Sequence, residues 1–315
     1  MKKLIYIVFF ISSVFISCAS KDKTDFVFEA PVPLGDPFIM LHEGVYYAYG
    51  TNADNGIEVY TSDDLISWKK EPKLALHQDD SWGGRWFWAP EVYYIADQNT
   101  FLMYYSANEH ICVASSDSPL GPFKQDVKEP MIADEKCIDN TLFIDDDGTP
   151  YMYFDRFNDG LNIWVAELEE DLKTIKTTTL TPCIHVSQEW EEVWPRVNEG
   201  AFVVKHQDMY YLSYSGNSYE SPFYGIGFAT ATSPYGPWTK YERNPILQKP
   251  HDLVGVGHSA MFRDKEGKLK IVFHAHHSKD NIHPRAMYIA DVSFTEGNIP
   301  VMTISDNILR PKLVR

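Results

Sequence analysis

The chain has 315 residues, of which 44% are hydrophobic and 23% charged, so it can form a packed core, and this composition argues against extensive disorder. Lys and Arg number 28 against 44 Asp and Glu. The resulting formal charge of −16 argues against nucleic acid as a partner, because that binding needs a basic surface. Aromatic residues reach 14%, which favours a β-rich protein.

The first 17 residues have the pattern of a signal peptide. Lys2 and Lys3 precede an apolar run over 4–15 that is short for a membrane span and typical of the apolar segment of a signal peptide. Cys18 follows shortly after this run, directly behind a small residue, which resembles a bacterial lipobox. We therefore expect cleavage before Cys18 and lipid attachment to it, with an ordinary secretory signal as the alternative.

The expected mature protein contacts the membrane only through this lipid anchor on Cys18. Residues 18–30 are expected to form a tether and residues 31–315 the folded domain. The corresponding location is the bacterial cell envelope, at the outer membrane, facing either the periplasm or the surface. The other cysteines cannot all pair and lack C-x-x-C spacing, so they predict neither a disulfide framework nor a zinc site. They are Cys112, Cys137 and Cys183.

Strand-like segments rich in Tyr, Phe and Val recur along the rest of the chain. Each follows an apolar segment and a polar or glycine-containing turn, which is a hairpin pattern, and each precedes a third short strand. These segments lie at 46–49, 101–105, 151–154, 210–214 and 269–274. Repeats of about 50 residues with three or four strands are typical of a β-propeller, so we predict an all-β, five-bladed propeller. A long β-sandwich or a β-solenoid is the alternative.

One ionisable residue stands just before the first strand of each repeat. These residues are Asp36, Glu91, Asp139, Glu199 and His258. Because equivalent positions in successive blades surround one axis, we expect four carboxyl groups and one imidazole to lie around one mouth of the central channel. Like charges that converge in a poorly hydrated space shift each other's pKa, which is typical of functional sites.

Glycoside cleavage is a reaction that uses several carboxyl groups around one pocket. One carboxylic acid protonates the leaving oxygen, and one carboxylate activates water or attacks the sugar carbon. The sequence contains no G-x-S-x-G, Walker or H-E-x-x-H motif, so competing chemistries have little support. Capping of a strand or turn is the alternative for any single one of these residues.

Five motifs in order resemble glycoside hydrolase family 43. They are Gly35-Asp36-Pro37-Phe38, Trp88-Ala89-Pro90-Glu91-Val92, Ile138-Asp139-Asn140, Asn198-Glu199-Gly200-Ala201-Phe202 and Gly257-His258. The resemblance covers about residues 33–295 and implies a five-bladed propeller, an inverting mechanism and chemistry that requires no cofactor. It implies Asp36 as general base, Glu199 as general acid, and Asp139 as the residue that tunes the pKa of the acid and orients it.

The sequence departs from the family pattern at two places. Asn140 and Ala201 stand where many members carry proline, but neither change removes a carboxyl group. Glu91 matches a position that is usually structural, and no catalytic role is assigned to it. The motifs of the related retaining propellers are absent, which favours inversion.

The resemblance also implies residues around the acids. His258 is implied as a candidate calcium or water site in the channel, and Arg285 as a residue near the bound sugar. Trp86 and Trp88 precede Glu91 and are candidates for stacking on the sugar. Three further histidines suggest a metal but lack a carboxylate or Cys at ligand spacing, so packing is the favoured interpretation. They are His274, His276 and His277.

Two classes of function follow. The first is an inverting glycosidase on pentose-containing plant glycans, with an exo-acting α-L-arabinofuranosidase favoured and a β-xylosidase or an arabinanase as alternatives. The second is a surface lipoprotein that binds glycans without cleaving them. The acid and base residues argue against the second class, because a binding protein needs neither.

Overall fold

The computed structural model describes residues 30–194 and 196–314. The predicted signal peptide and Cys18 lie outside these residues, so both stay predictions. Within the described part, no helix is long and apolar enough to cross a membrane. Its helices are four short 3-10 helices, at Gln78–Asp80, Ala96–Gln98, Thr177–Thr179 and Glu189–Glu192.

The strands form five sheets that follow one another along the chain. The first contains β1 (Ala30–Pro31), β2 (Gly35–His42), β3 (Val45–Thr51), β4 (Gly56–Ser62), β5 (Ser67–Lys70), β6 (Leu76–His77) and the last strand, β22 (Lys312–Leu313). The second contains β7 (Trp88–Ile95), β8 (Thr100–Ala107) and β9 (His110–Ser116). The third contains β10 (Cys137–Ile144), β11 (Pro150–Phe157), β12 (Leu161–Glu167) and β13 (Thr181–Ile184).

The last two sheets have four strands each. The fourth contains β14 (Asn198–His206), β15 (Met209–Gly216), β16 (Gly225–Ala231) and β17 (Thr239–Lys240). The fifth contains β18 (Gly257–Arg263), β19 (Leu269–Ala275), β20 (Ala286–Phe294) and β21 (Met302–Ile304). Neighbouring strands within each sheet are antiparallel, except that β22 pairs with β5 in parallel. This pairing joins the end of the chain to the first sheet.

The sheets are in a propeller arrangement. The strands β2, β7, β10, β14 and β18 contact one another in this order, and β18 contacts β2 again. The prediction of an all-β propeller is therefore confirmed. Because each sheet packs against two others, its strands are buried on both faces, as the almost fully buried β8 and β15 illustrate.

Tyrosine hydroxyls connect neighbouring sheets, which explains the many tyrosines in the repeats. Tyr49, Tyr153 and Tyr211 lie in β3, β11 and β15 and are fully buried. In each sheet we call β2, β7, β10, β14 or β18 the first strand, and its antiparallel partner β3, β8, β11, β15 or β19 the second strand. Their hydroxyls donate hydrogen bonds of 2.6–2.7 Å to the backbone carbonyls of Pro119, Pro234 and Pro300. Each ring thus supplies apolar area to the core, while its polar end stays satisfied.

Each of the strands β2, β7, β10, β14 and β18 begins with a β-bulge. In all five, the pairing with the second strand is interrupted by two consecutive unpaired residues, and the residues on either side of these two are paired. The first unpaired residue always has a positive φ of 43–62°. These residues are Asp36, Ala89, Asp139, Gly200 and His258. The left-handed conformation costs a residue other than glycine of order 1 kcal/mol, so its recurrence marks a constrained position.

The bulges correct the predicted equivalence of the five ionisable residues. Asp36, Asp139 and His258 are equivalent, but Glu199 lies one residue before the bulge and Glu91 lies just after its own. Glu91 is buried and accepts a hydrogen bond from the Tyr93 hydroxyl of the same strand. The expectation of five equivalent positions is therefore wrong, because the extra residue of a bulge changes the register of the side chains.

Candidate active site

Asp36 and Arg285 form a buried ion pair in the channel. Arg285 Nη1 donates to Asp36 Oδ1 at 2.6 Å, and Nη2 donates to Oδ2 at 2.8 Å. Gly35 permits this contact, because a Cβ there would lie 2.3 Å from the guanidinium carbon. Burial opposes ionisation of Asp36, but the Arg285 guanidinium outweighs it and holds the pKa of Asp36 below its usual range.

Two histidines lie against the same carboxyl group. His258 Nδ1 is 3.3 Å from Asp36 Oδ1, and His274 Nδ1 is 3.4 Å from the same oxygen. Burial lowers the pKa of both imidazoles, which favours their neutral forms. His274 Nδ1 also accepts a hydrogen bond from the backbone N–H of Asp36, at 3.1 Å. The expected packing role of His274 is thus incomplete, because this side chain contacts the predicted base.

The surroundings of His258 do not fit a calcium site. Calcium takes about six to eight oxygen ligands, whereas His258 Nδ1 faces one oxygen of Asp36 and, at 3.9 Å, one oxygen of Asp139. Both oxygens of Asp36 are already bonded to Arg285. In the described part of the chain, no group of three or more His, Cys, Asp or Glu side chains could hold a metal ion. The predicted water at His258 stays a prediction.

Glu199 is buried on the far side of the channel from the first sheet, in β14 of the fourth sheet. The Tyr224 hydroxyl donates a hydrogen bond of 2.7 Å to Glu199 Oε1. The Tyr224 ring stacks on His274, with centroids 5.6 Å apart, and rests against Gly257, where a Cβ would overlap the ring. Burial raises the pKa of Glu199 to about 7, with a further contribution from the Asp36 carboxylate and opposition from Tyr224 and Arg285.

Asp139 is buried beside a second aspartate that the sequence analysis did not identify. Its carboxyl group lies beside that of Asp155 on β11, and a proton on either one would allow a hydrogen bond between them. Burial raises the pKa of Asp139 well above its usual range, and the Glu199 and Asp36 carboxylates act in the same direction. Burial and the two neighbouring carboxyl groups, first Asp139 and then Glu199, likewise raise the pKa of Asp155.

The two predicted aromatic residues form one stack. The rings of Trp86 and Trp88 lie 5.7 Å apart with an interplanar angle of 19°, and the Arg85 guanidinium lies 3.8 Å from the Trp86 centroid. Trp86 is 40% exposed. Trp88 occupies the position in the second sheet that Glu199 occupies in the fourth, directly before the bulge. The partly exposed Trp86 thus lies two residues before Trp88, the first residue of β7, which borders the channel.

The structure thus connects five of the predicted residues and adds three that the sequence did not predict. Asp36, Asp139, Glu199, His258 and Arg285 are linked by hydrogen bonds or close charge contacts. The additions are Asp155, Tyr224 and His274. Tyr224 lies in a loop without a distinguishing motif, so only the folded chain reveals it. A comparison of the second strands of the repeats could have revealed Asp155, as shown below.

Comparisons with known proteins agree with a glycosidase of this kind. The model of the family described as glycosyl hydrolases family 43 matches residues 30–300. A crystal structure described as an endo-1,4-beta-xylanase from Bacteroides thetaiotaomicron VPI-5482 is 48% identical, with a TM-score of 0.87, over 92% of this chain and 100% of that one. A beta-D-galactofuranosidase of Aspergillus niger is 27% identical over 269 residues, which are 78% of this chain and 74% of that protein.

An arabinoxylan arabinofuranohydrolase of Bacillus subtilis is 26% identical, over 76% of this chain and 55% of that protein. The chain therefore spans about half the length of that relative. The fold and these similarities define the class of protein, an inverting glycoside hydrolase whose chemistry needs no cofactor. The chain belongs to glycosyl hydrolases family 43.

Proposed function

We propose that the protein hydrolyses glycosidic bonds of pentose-containing plant polysaccharides or their oligosaccharides, as an exo-acting α-L-arabinofuranosidase. The observation that carries the reaction type is the opposite shift of two buried carboxyl groups. The pKa of Asp36 lies below its usual range, and that of Glu199 is raised to about 7. At neutral pH one group is thus an ionised base, and about half of the other still carries its proton and can act as the acid, as inverting hydrolysis requires.

In the proposed reaction, water attacks the anomeric carbon from the face opposite the leaving group. Asp36 takes a proton from this water, and Glu199 gives its proton to the leaving oxygen, so the product has the inverted anomeric configuration. Asp139 places a further carboxyl group beside the acid, which opposes ionisation of Glu199. We expect the carboxyl groups of Asp36 and Glu199 to be about 6.5–9.5 Å apart, which leaves room for the water.

Three side chains are proposed to hold the sugar. The Trp86–Trp88 stack offers an apolar face to the C–H groups of a pyranose or furanose ring. Arg285 uses one N–H of each terminal nitrogen on Asp36, and Nη1 also lies 3.4 Å from His274 Nε2. We propose that its remaining donors meet a sugar hydroxyl. A pocket of this kind would bind the terminal sugar while Asp36 and Glu199 act on its linkage.

The choice of sugar rests on the relatives. The two furanoside-cleaving relatives named above support an α-L-arabinofuranosidase. The relative described as an endo-1,4-beta-xylanase, at 48% identity, supports cleavage of a xylan backbone as a second candidate. A β-xylosidase and an arabinanase remain alternatives within the same site. The glycan-binding alternative without catalysis is not proposed, since the chain belongs to a hydrolase family and keeps its acidic residues.

A release assay on arabinoxylan, arabinan, arabinogalactan and unsubstituted xylan tests this proposal. We expect free arabinose from the first three and no product from the last, with the Asp36→Asn enzyme as the inactive control. Xylo-oligosaccharides released from unsubstituted xylan would instead establish the second candidate. An absence of any released sugar, from the four polymers and from aryl furanosides, would contradict both.

Further proposals concern architecture and location. We infer that the five sheets are the five blades of the predicted propeller, since the strands β2, β7, β10, β14 and β18 form a closed sequence of contacts. We also propose, from the sequence, the domain division into a signal peptide at 1–17, a tether at 18–30 and the catalytic domain at 31–315. A lipid on Cys18 would hold that domain at the outer membrane. Facing the surface, it would act on the polysaccharide, and facing the periplasm, on oligosaccharides that have crossed the membrane.

A further inference from the structure

One hydrogen bond recurs between every pair of neighbouring sheets. In each sheet, the first residue of the bulge donates its backbone N–H to a side chain of the preceding sheet. This acceptor side chain lies on the second strand of that preceding sheet. The acceptors are Thr51 for Ala89, Ser106 for Asp139, Asp155 for Gly200, Ser215 for His258 and His274 for Asp36, at 2.7–3.1 Å. The last of these bonds runs from the first sheet to the fifth and closes the set.

The acceptors occupy equivalent positions in their sheets. Each one pairs with the residue that stands directly before the bulge in the first strand of its own sheet, and Asp155, for example, pairs with Ile138. Accepting one N–H requires only a lone pair. In four of the sheets a neutral side chain supplies this lone pair, namely two serines, a threonine and a histidine. Asp155 is the exception, because it places a carboxyl group where a neutral side chain is sufficient.

Asp155 places its carboxyl group in the protein interior, where an ionised carboxylate without a partner destabilises the fold. Its side chain is fully buried, and no charged donor contacts it. Oδ2 accepts the hydrogen bond of 3.0 Å from the N–H of Gly200, but Oδ1 is buried and has no N–H or hydroxyl donor among the described residues. Burying a carboxylate without a partner is strongly unfavourable, so a purely structural role does not account for this residue.

The Asp139 carboxyl lies beside that of Asp155. The two side chains are within hydrogen-bond distance of each other. Two carboxylate oxygens repel at that distance unless a proton lies between them, and one shared proton satisfies both. Burial raises the pKa of both groups, so the pair keeps at least one proton at neutral pH.

We propose that Asp155 is a positioning residue for the catalytic acid. In its protonated form it donates a hydrogen bond to Asp139, which lowers the pKa of Asp139 and so favours its ionised form beside Glu199. Its other oxygen binds the N–H of Gly200, the residue that follows Glu199, so the same side chain fixes the strand that carries the acid. This inference rests on the proposed roles of Asp139 and Glu199.

Charged and titratable groups face this pair from several strands. Asp36, Arg285 and His258 approach Asp139, and His258 Nδ1 lies 3.9 Å from its Oδ2. Asp139 and Cys137 approach Asp155 from β10, and Glu199 approaches from β14. Burial raises the pKa of Cys137 to about 12, so this thiol stays neutral. Arg156 is next to Asp155 on the same strand, but its side chain pairs with a surface glutamate and stacks on a tryptophan. A change in the charge of Asp139 is therefore expected to act on Glu199 and also on Asp36, so both limbs of the pH profile are followed.

Two substitutions separate the structural hydrogen bond from the proposed function. Asp155→Ser copies the acceptor found in the second and fourth sheets, so it keeps the bond to Gly200 but is too short to donate to Asp139. Asp155→Asn keeps both an acceptor for Gly200 and an N–H donor for Asp139. Thr51→Val is the structural control, because it removes the equivalent acceptor where the bulge residue, Ala89, has no ionisable side chain.

The measurement is kcat/KM against pH on a natural oligosaccharide, with the melting temperature of each variant. In Asp155→Ser, Asp139 loses its donor and protonates more readily, the pKa of Glu199 falls, and the alkaline limb should move down by about one pH unit. Asp155→Asn should keep the limb within a few tenths of a unit of the wild type. Thr51→Val should lower the melting temperature and leave the alkaline limb in place.

An Asp155→Ser enzyme with the wild-type profile would overturn the proposal, and so would an Asp155→Asn enzyme whose limb moves as far as that of Asp155→Ser. The roles on which the proposal rests are tested separately with Glu199→Ala. If the residual activity of that variant on the natural oligosaccharide keeps the wild-type alkaline limb, Glu199 is not the acid, and the proposed function fails independently of Asp155.

Discussion

Arg285 and Asp36 are joined by two parallel hydrogen bonds, of 2.6 and 2.8 Å, inside the channel. A bidentate guanidinium–carboxylate pair fixes both side chains in one plane and strongly favours the ionised carboxyl group. The general base of an inverting glycosidase must stay ionised to take a proton from water. The pair therefore provides a base that remains competent at acidic pH.

Replacing Arg285 with methionine should move the acidic limb of kcat/KM to higher pH. Without the guanidinium, burial raises the pKa of Asp36, and the base is lost by protonation as the pH falls through this higher value. The shift should be at least one pH unit, measured on an activated aryl glycoside. Arg310→Met is the matched control, because Arg310 forms an exposed ion pair with Asp252. An unchanged acidic limb in Arg285→Met would show that another group determines it.

Replacing Tyr224 with phenylalanine should act on the opposite limb. The Tyr224 hydroxyl donates to Glu199 Oε1 and stabilises the ionised form, so its removal raises the pKa of Glu199 above about 7. The acid then stays protonated at higher pH, and the alkaline limb should move upward. Tyr214→Phe removes a similar buried hydroxyl that donates to Glu191, and should leave the pH profile unchanged. A downward shift in Tyr224→Phe would contradict this arrangement.

The proposed anchor is tested by Cys18→Ala. The variant has no thiol for acylation, so it should remain unprocessed or appear in the soluble fraction. The measurement is the distribution of the protein between membrane and soluble fractions, together with metabolic labelling by a fatty acid. Cys183→Ala, which removes a different thiol, is the control and should not change this distribution. A labelled, membrane-bound Cys18→Ala protein would exclude the lipobox.

The sequence was sufficient to predict the repeated strands and the residues of the proposed catalytic motifs. It was not sufficient to predict which residues of different sheets occupy equivalent positions. Alternation of side chains predicts which residues lie in strands, and it cannot show the extra residue that a bulge inserts. Glu91 was therefore placed with Asp36, although the prolines Pro37 and Pro90 are the equivalent residues and would have aligned Asp36 with Ala89.

The second strands contained a signal that the sequence analysis did not use. Thr51, Ser106, Asp155, Ser215 and His274 each follow an aromatic residue by one or two positions near the end of a second strand. Their alignment would have shown one carboxyl group among neutral acceptors. The contact between Tyr224 and Glu199 is different, because it joins a loop to a strand 25 residues away and depends on the packing of both against His274.

The last prediction separates the acid from the base through the leaving group. A leaving group of low pKa departs without protonation, whereas attack by water needs the base with any leaving group. Glu199→Ala should therefore lose about 10²–10⁴-fold in kcat/KM on a natural glycosidic bond and much less on an activated aryl glycoside. Asp36→Ala should lose both activities, since it removes the proposed base.

The two variants need a control for folding, because Asp36→Ala leaves the Arg285 charge buried without its partner. Loss of one member of a buried ion pair costs about 3–5 kcal/mol, so the free energy of unfolding should fall in Asp36→Ala. The double variant Asp36→Ala/Arg285→Met should recover stability but not activity, which assigns the lost activity to the missing base. Activity near that of the wild type in Asp36→Ala, or equal losses on both substrates in Glu199→Ala, would require these roles to be reassigned among the carboxyl groups of the channel.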